Sequence, residues 1–135
     1  MTEQAVARPL VVVIEDEADV LATLARQLRR LLPQFTILAT QEGAATLTMA
    51  IDQPVALAVV DYYLRGHDGL TEVAALKQHS PHMRTILITA SPLAAVEHAA
   101  RMVGIDILLA KPFLMEELAN AIQTLLPLQN SAGES

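Results

Sequence analysis

Residues 55–69 read VALAVVDYYLRGHDG: six apolar residues without a polar side chain among them, then an abrupt turn at Asp61 and two glycines, Gly66 and Gly69. A strand that is apolar on both faces is buried on both, as happens in a parallel sheet covered by helices on its two sides. Pro54 stops whatever precedes it, so residues 55–60 are predicted as the central strand of such a sheet.

The flanking sequence repeats the pattern. Residues 10–14 (LVVVI) run into Glu15 and Asp16, residues 84–89 (RTILIT) end at Thr89, and residues 105–109 (IDILL) run through Ala110 into Lys111. A further short apolar run occupies 35–39. Between them lie helical spacings. Val20, Leu24, Leu28 and Leu31 repeat at the α-helical period up to Pro33, with Glu17 and Asp19 placed to favour that helix's N-terminus. A weaker helix is predicted over 43–51; after a loop over 61–69, helices are predicted through Val73 and Leu76 to before Ser80-Pro81, over 92–103 with Leu93, Val96, Ala99 and Ala100 toward the core, and over 114–126 with Leu118, Ile122 and Leu125 inward and Ala121 on the outer surface. Five strand–helix pairs in strict alternation predict an α/β fold: a five-stranded parallel sheet, (βα)5, flavodoxin-like and doubly wound, with right-handed crossovers. Residues 1–8 read as a flexible lead-in, 9–127 as the domain and 128–135 as a flexible tail.

Composition agrees. The 135 residues suffice for one domain, and a chain that is 53% hydrophobic but only 3% aromatic must build its core from Val, Ile, Leu and Ala. The net charge is −6 and no basic cluster exceeds Arg29-Arg30, which excludes the electrostatic footprint of nucleic-acid binding. There is no cysteine, hence no disulfide framework or thiolate metal site. No apolar run approaches the ~20 residues that span a bilayer, and the N-terminus has no secretory pattern, so no membrane partner and a cytoplasmic location are expected.

In a parallel sheet all strand ends of one sense share an edge, so Glu15, Asp16, Asp61, Thr89 and Lys111 meet in one crevice. Carboxylates brought together repel unless a cation holds them, and a hard divalent ion such as Mg suits oxygen donors. Asp16 and Asp61 would bind it directly and Glu15 through a water. The Asp61 carboxylate could then attack a phosphorus atom to form an acyl phosphate, with Lys111 and the Thr89 hydroxyl holding the remaining phosphoryl oxygens. The four histidines, at 67, 79, 82 and 98, show no ligand-like pairing and read as solvated surface; Met49, Met83, Met102 and Met115 read as packing residues.

The segments VVVIEDEADV, VVDYYLRGHDG, ILITAS and LLAKPF, in that order from about Leu10 to Leu126, resemble the receiver domains of two-component response regulators. The resemblance implies a phosphoacceptor role for Asp61, catalytic contacts from Thr89 and Lys111, and metal binding by Glu15, Asp16, Asp61 and the main-chain carbonyl of Tyr63. It implies a histidine kinase or phosphotransfer protein as phosphoryl donor, and an output protein or effector domain, or a second copy in a homodimer, as receiver of the signal. That signal would leave through the surface formed by the helix at 92–103, the strand at 105–109 and the helix at 114–126. It also implies a cis bond at Lys111-Pro112 and self-catalysed phosphorylation and dephosphorylation without enzymatic turnover.

Three positions depart from the family's usual pattern. Glu15 stands where aspartate is commoner, and Arg65 where the loop usually has proline. Leu108 replaces the tyrosine or phenylalanine whose ring swings inward when the threonine moves, so the readout would come from the backbone after Thr89. Tyr63 would place a bulky ring beside the phosphoryl group. Alternatives are a pseudo-receiver that acts only by binding a partner, and a phosphohydrolase of the haloacid dehalogenase type. The latter class wants a second aspartate two residues after the first, where this chain has Tyr63.

Overall fold

The computed structural model describes residues 8–43 and 53–126; all but the first residue of the helix expected over 43–51, and both chain ends, fall outside these residues. The strands are β1 (Leu10–Ile14), β2 (Thr36–Thr40), β3 (Val55–Asp61), two-residue strands β4 (Tyr63–Leu64) and β5 (His67–Asp68), β6 (Arg84–Thr89) and β7 (Ile107–Ala110). The described helices are α1 (Ala18–Leu31), α2 (Gly69–His79), α3 (Leu93–Val103) and α4 (Met115–Leu125). Five strands form one sheet in the order β2-β1-β3-β6-β7, every pairing parallel, with β3 in the centre as its unbroken apolar run requires.

Alternate strand residues feed two cores. Val11, Val13, Leu57, Val59, Ile86 and Ile88 pack with α1 and α4 on one face. Leu10, Val12, Ile14, Val60 and Leu87 pack with α2 and α3 on the other. A register shift between Leu10 and Val11 pairs them with Val55 and Leu57, so Val55 and Ala58 can share a face although three positions apart. Each fully buried Val, Leu or Ile side chain contributes about 1.5–3 kcal/mol relative to exposure, and the sheet's position is set by this two-sided burial.

Helix ends follow local chemistry. Asp68 Oδ1 accepts the Thr71 N–H at 3.0 Å and caps α2. Glu117 Oε1 accepts the Leu114 N–H at 2.8 Å, while the Leu114 carbonyl accepts the Glu117 N–H at 2.9 Å, closing the start of α4. Gly104, at φ 90°, ends α3 and donates to the Ala100 and Arg101 carbonyls.

Several sequence expectations need correction. The last strand begins at Ile107, not 105, because the Ile105 N–H is spent on the Ala100 carbonyl at the end of α3. The strand expected at 35–39 is shifted by one, to Thr36–Thr40. On α3 only Val96 and Ala100 are buried; Leu93 is 40% exposed and Ala99 is exposed too, since a short helix lying obliquely on a sheet covers a narrow stripe. Ala121, expected on the outer surface, is buried against β-sheet residues, and Met102, expected to pack, is 74% exposed. Residues 61–69, expected as a loop, contain the antiparallel β4–β5 pairing of Tyr63 with Asp68 and Leu64 with His67. His79, His82 and His98 are exposed, in agreement with their solvated reading.

Candidate functional site

Ile14 pairs with Val60 and Asp61 with Ile88, so Glu15 emerges beside Asp61 at the C-terminal edge of the sheet. Both acids are buried, Glu15 to 1% exposure and Asp61 to 5%. Thr89 pairs with Ala110 in the next strand, and the Lys111 N–H donates to the Thr89 carbonyl at 2.8 Å, which carries the lysine to the same edge. The Lys111-Pro112 bond is cis, as the resemblance implied.

The lysine reaches back across the crevice. Its Nζ donates to Asp61 Oδ2 at 2.7 Å and to Glu15 Oε1 at 3.3 Å. The remaining carboxylate oxygens are also engaged: Glu15 Oε2 accepts the Glu17 N–H at 3.1 Å, and Asp61 Oδ1 accepts the Tyr63 N–H at 3.1 Å. Asp16 stands at the half-exposed mouth, where Arg65 Nε lies 3.8 Å from its Oδ2 and Gln41 Nε2 donates to its carbonyl at 2.7 Å. One oxygen from each of Glu15, Asp16 and Asp61 can be chosen so that all lie within 4.8 Å of one another.

Three carboxylates with one inward ammonium leave the crevice short of positive charge. Burial, followed by the hydrogen bond to Asp61, pushes the Glu15 carboxyl up to about 7 from 4.5; repulsion by Asp61 adds to the rise, while the Glu17 N–H and Lys111 oppose it. Desolvation works against the Lys111 charge, but its hydrogen bonds and attraction to Asp61 and Glu15 outweigh that, so its pKa is raised. The donor set therefore fits a hard divalent cation: oxygen atoms only, clustered and under-neutralised. Glu15, Asp16 and Asp61 are the residues that could hold it.

Of the residues singled out from sequence, Glu15, Asp16, Asp61 and Lys111 converge directly. Tyr63 is attached to Asp61 through its own N–H, with its ring 59% exposed. Thr89 is fully buried at the neighbouring strand end, and its Oγ1 accepts the Ser91 N–H at 3.0 Å. Two contributors escape a reading of the sequence. Ser91 Oγ lies 2.9 Å from the Tyr63 hydroxyl, a contact whose only sequence trace is a hydroxyl two places after Thr89. Gly69 packs so closely that a Cβ would sit 2.2 Å from the Asp61 carbonyl oxygen; its signal is the second glycine of the loop. Leu108 is partly buried against the core shared with α2 and α3. Beside Lys111 lies a groove of about 470 Å³, walled by Glu17, Val20, Ala90, Pro112 and Phe113.

Comparison with known proteins gives a consistent result. Residues 11–123 match the response regulator receiver domain. The chain is 31% identical over 130 residues to the transcriptional regulatory protein PrrA of Mycobacterium tuberculosis, an alignment covering 96% of this chain and 55% of that protein. The chain thus spans about half the length of this curated relative. The signal receiver domain of an HD domain-containing protein from Pseudomonas fluorescens superposes with a TM-score of 0.77 at 25% identity, covering 96% of this chain and 95% of that one. A response regulator from Burkholderia pseudomallei, solved with a phosphorylated aspartic acid, calcium ion and citrate, gives 0.71 at 26% identity over 90% of this chain and 75% of that one.

Proposed function

The chain belongs to the response regulator receiver domain family, and on that footing we propose that residues 9–127 accept a phosphoryl group on Asp61 from a histidine kinase or phosphotransfer protein. The observation that carries this reading is the charge imbalance of the crevice: Asp61 and Glu15 buried together on the single Lys111 ammonium, with Asp16 at the mouth. Glu15, Asp16, Asp61 and the Tyr63 carbonyl would hold Mg, whose charge would neutralise phosphoryl oxygens.

In the transfer, an Asp61 carboxylate oxygen forms a bond to phosphorus as the bond from phosphorus to the donor's imidazole nitrogen breaks, and the electron pair leaves with the imidazole. Lys111 gives up part of its bond to Asp61 Oδ2 to meet the incoming phosphoryl oxygen, and Thr89 Oγ1 offers its proton to another. Later attack of water on phosphorus returns Asp61 and releases inorganic phosphate. The α3–β7–α4 surface passes the change to an output protein, an effector domain or a second copy. The family is mainly one of signalling proteins and not of turnover enzymes, and among the described residues no helix is long and apolar enough to cross a membrane.

Leu108 favours one competing reading, a pseudo-receiver that only binds a partner. Intact mass separates the two. Incubation with Mg and a small acyl-phosphate donor is expected to add one phosphoryl group to the wild type and none to Asp61→Asn; a folded, Mg-binding wild type that gains nothing would establish the pseudo-receiver. Many turnovers of free phosphate would instead indicate a phosphohydrolase.

A further inference from the structure

Ser91 lies outside every strand and helix, yet its polar atoms connect two parts of the crevice. Its N–H donates to Thr89 Oγ1 at 3.0 Å, and its Oγ is 2.9 Å from the Tyr63 hydroxyl. Tyr63 in turn gives its N–H to Asp61 Oδ1 at 3.1 Å. A route of three hydrogen bonds, two of them through the main-chain N–H groups of Tyr63 and Ser91, thus runs from Asp61 to Thr89, beside the β3–β6 ladder that already joins these strand ends. Tyr62 meets the Tyr63 ring edge-on at 4.8 Å between centroids, and is itself packed against the core on the α2 and α3 face. The Tyr63 ring therefore has an anchor, although it is largely exposed. Leu108, opposite Leu87 in β7, offers an aliphatic side chain with no polar tip and cannot take part.

We propose that the Tyr63–Ser91 hydrogen bond is the switch contact through which the state of Asp61 reaches the loop leading into α3, an inference that rests on Asp61 being phosphorylated. Thr89 is fully buried and its hydroxyl has one proton to give. A phosphoryl group on Asp61 takes that proton and draws Oγ1 inward, and Ser91, bound to Oγ1 through its N–H, is displaced relative to the anchored tyrosine. The Tyr63–Ser91 pair is the link that yields, because both hydroxyls are open to water and can exchange one partner for another. Its loss frees Ala90, Ser91 and Pro92, the residues that set the start of α3, where Leu93 is already 40% exposed. Holding this loop in its unphosphorylated arrangement is worth a small factor, roughly threefold in population for an exposed neutral hydrogen bond.

The test follows wild type, Tyr63→Phe and Ser91→Ala by backbone amide NMR, after samples of wild type and Ser91→Ala treated with Mg and a small acyl-phosphate donor have been weighed intact. Wild type and Ser91→Ala are expected to gain one phosphoryl group, and Tyr63→Phe is compared with them in the untreated state. Before treatment, the amides of residues 90–95 in both variants are expected to lie part-way toward their phosphorylated positions, with that arrangement roughly threefold more populated than in wild type. The double variant should add nothing further, since one bond is lost either way. Untreated variants whose 90–95 amides coincide with wild type, or move away from the phosphorylated positions, would overturn the switch contact. A wild type that gains no mass would instead sink the Asp61 reading beneath it, and that outcome is visible before any amide is measured.

Discussion

The two edges of the sheet both hold buried polar groups, and they treat them in opposite ways. At the N-terminal edge of β6, Thr85 is fully buried, but its N–H reaches Asp106 Oδ2 at 2.9 Å and its Oγ1 accepts the Asp106 N–H at 2.9 Å. The Thr85 hydroxyl has both the Gly104 carbonyl, at 3.3 Å, and Asp106 Oδ2, at 3.2 Å, within reach of its proton. Arg84 stands 3.7 Å from the same carboxylate, and Ser80 Oγ accepts the Val55 N–H nearby at 2.9 Å. There one acid meets one cation and the hydrogen bonds close on themselves. At the C-terminal edge three acids cluster around one inward lysine, which reaches only Asp61 and Glu15, while Asp16 has the exposed Arg65 at 3.8 Å. A satisfied network is complete as structure, whereas an unmet charge is held in place by the fold for something that arrives from outside.

The contrast can be broken at either edge. The largest effect belongs to Lys111→Ala, which removes the one inward cation among the described residues: phosphoryl uptake from a small donor is expected to slow by roughly a hundredfold or more, the scale seen when one preorganised donor is lost from a charge-stabilising site. Uptake at the wild-type rate, followed by intact mass, would count against a role for the ammonium. Next comes Asp106→Ala, which strands the buried Thr85 N–H and leaves the Thr85 hydroxyl the Gly104 carbonyl as acceptor; denaturant unfolding should show a loss of about 1–3 kcal/mol, with uptake per folded molecule unchanged. A large fall in uptake there would erase the distinction between the edges.

The smallest effect is a dependence on pH. In metal-free protein Glu15 keeps a proton up to about 7 when folded but only up to 4.5 at its ordinary value. The folded state thus binds more protons between these values, so this group's contribution is fully present below the lower one and is lost as pH rises through the upper. From ~pH 5 to ~pH 8 metal-free wild type should lose stability relative to Glu15→Gln, on the order of 1 kcal/mol once water and local relaxation soften the buried charge. Saturating Mg should remove the trend. A wild type that gains on Glu15→Gln as pH rises would contradict the crowding of the two carboxylates.

Much of this contrast is legible in the order of residues along the chain. Apolar runs that end in a polar residue mark buried parallel strands and their exits, because a strand covered on both faces can carry polar groups only where it leaves the core. Hence Glu15, Asp16, Asp61, Thr89 and Lys111 can be read together. The helix faces are less legible: apolar spacing puts Leu93, Ala99 and Ala121 on the wrong side, because it marks a stripe and leaves open which part of it the sheet covers. The β4–β5 pairing escapes detection because a two-residue ladder has no periodicity.

The chain's order of apolar runs determined the doubly wound sheet and the acids along its edge, since burial on both faces admits few other arrangements. Only the tertiary structure decided how those residues meet: Lys111 bridging Asp61 and Glu15, Gly69 against the Asp61 carbonyl, and Ser91 against Tyr63. These contacts join residues apart in sequence, through side-chain reach and loop paths that no local pattern encodes, and they separate a crevice of like charges from a site with one counter-charge and a strap across it.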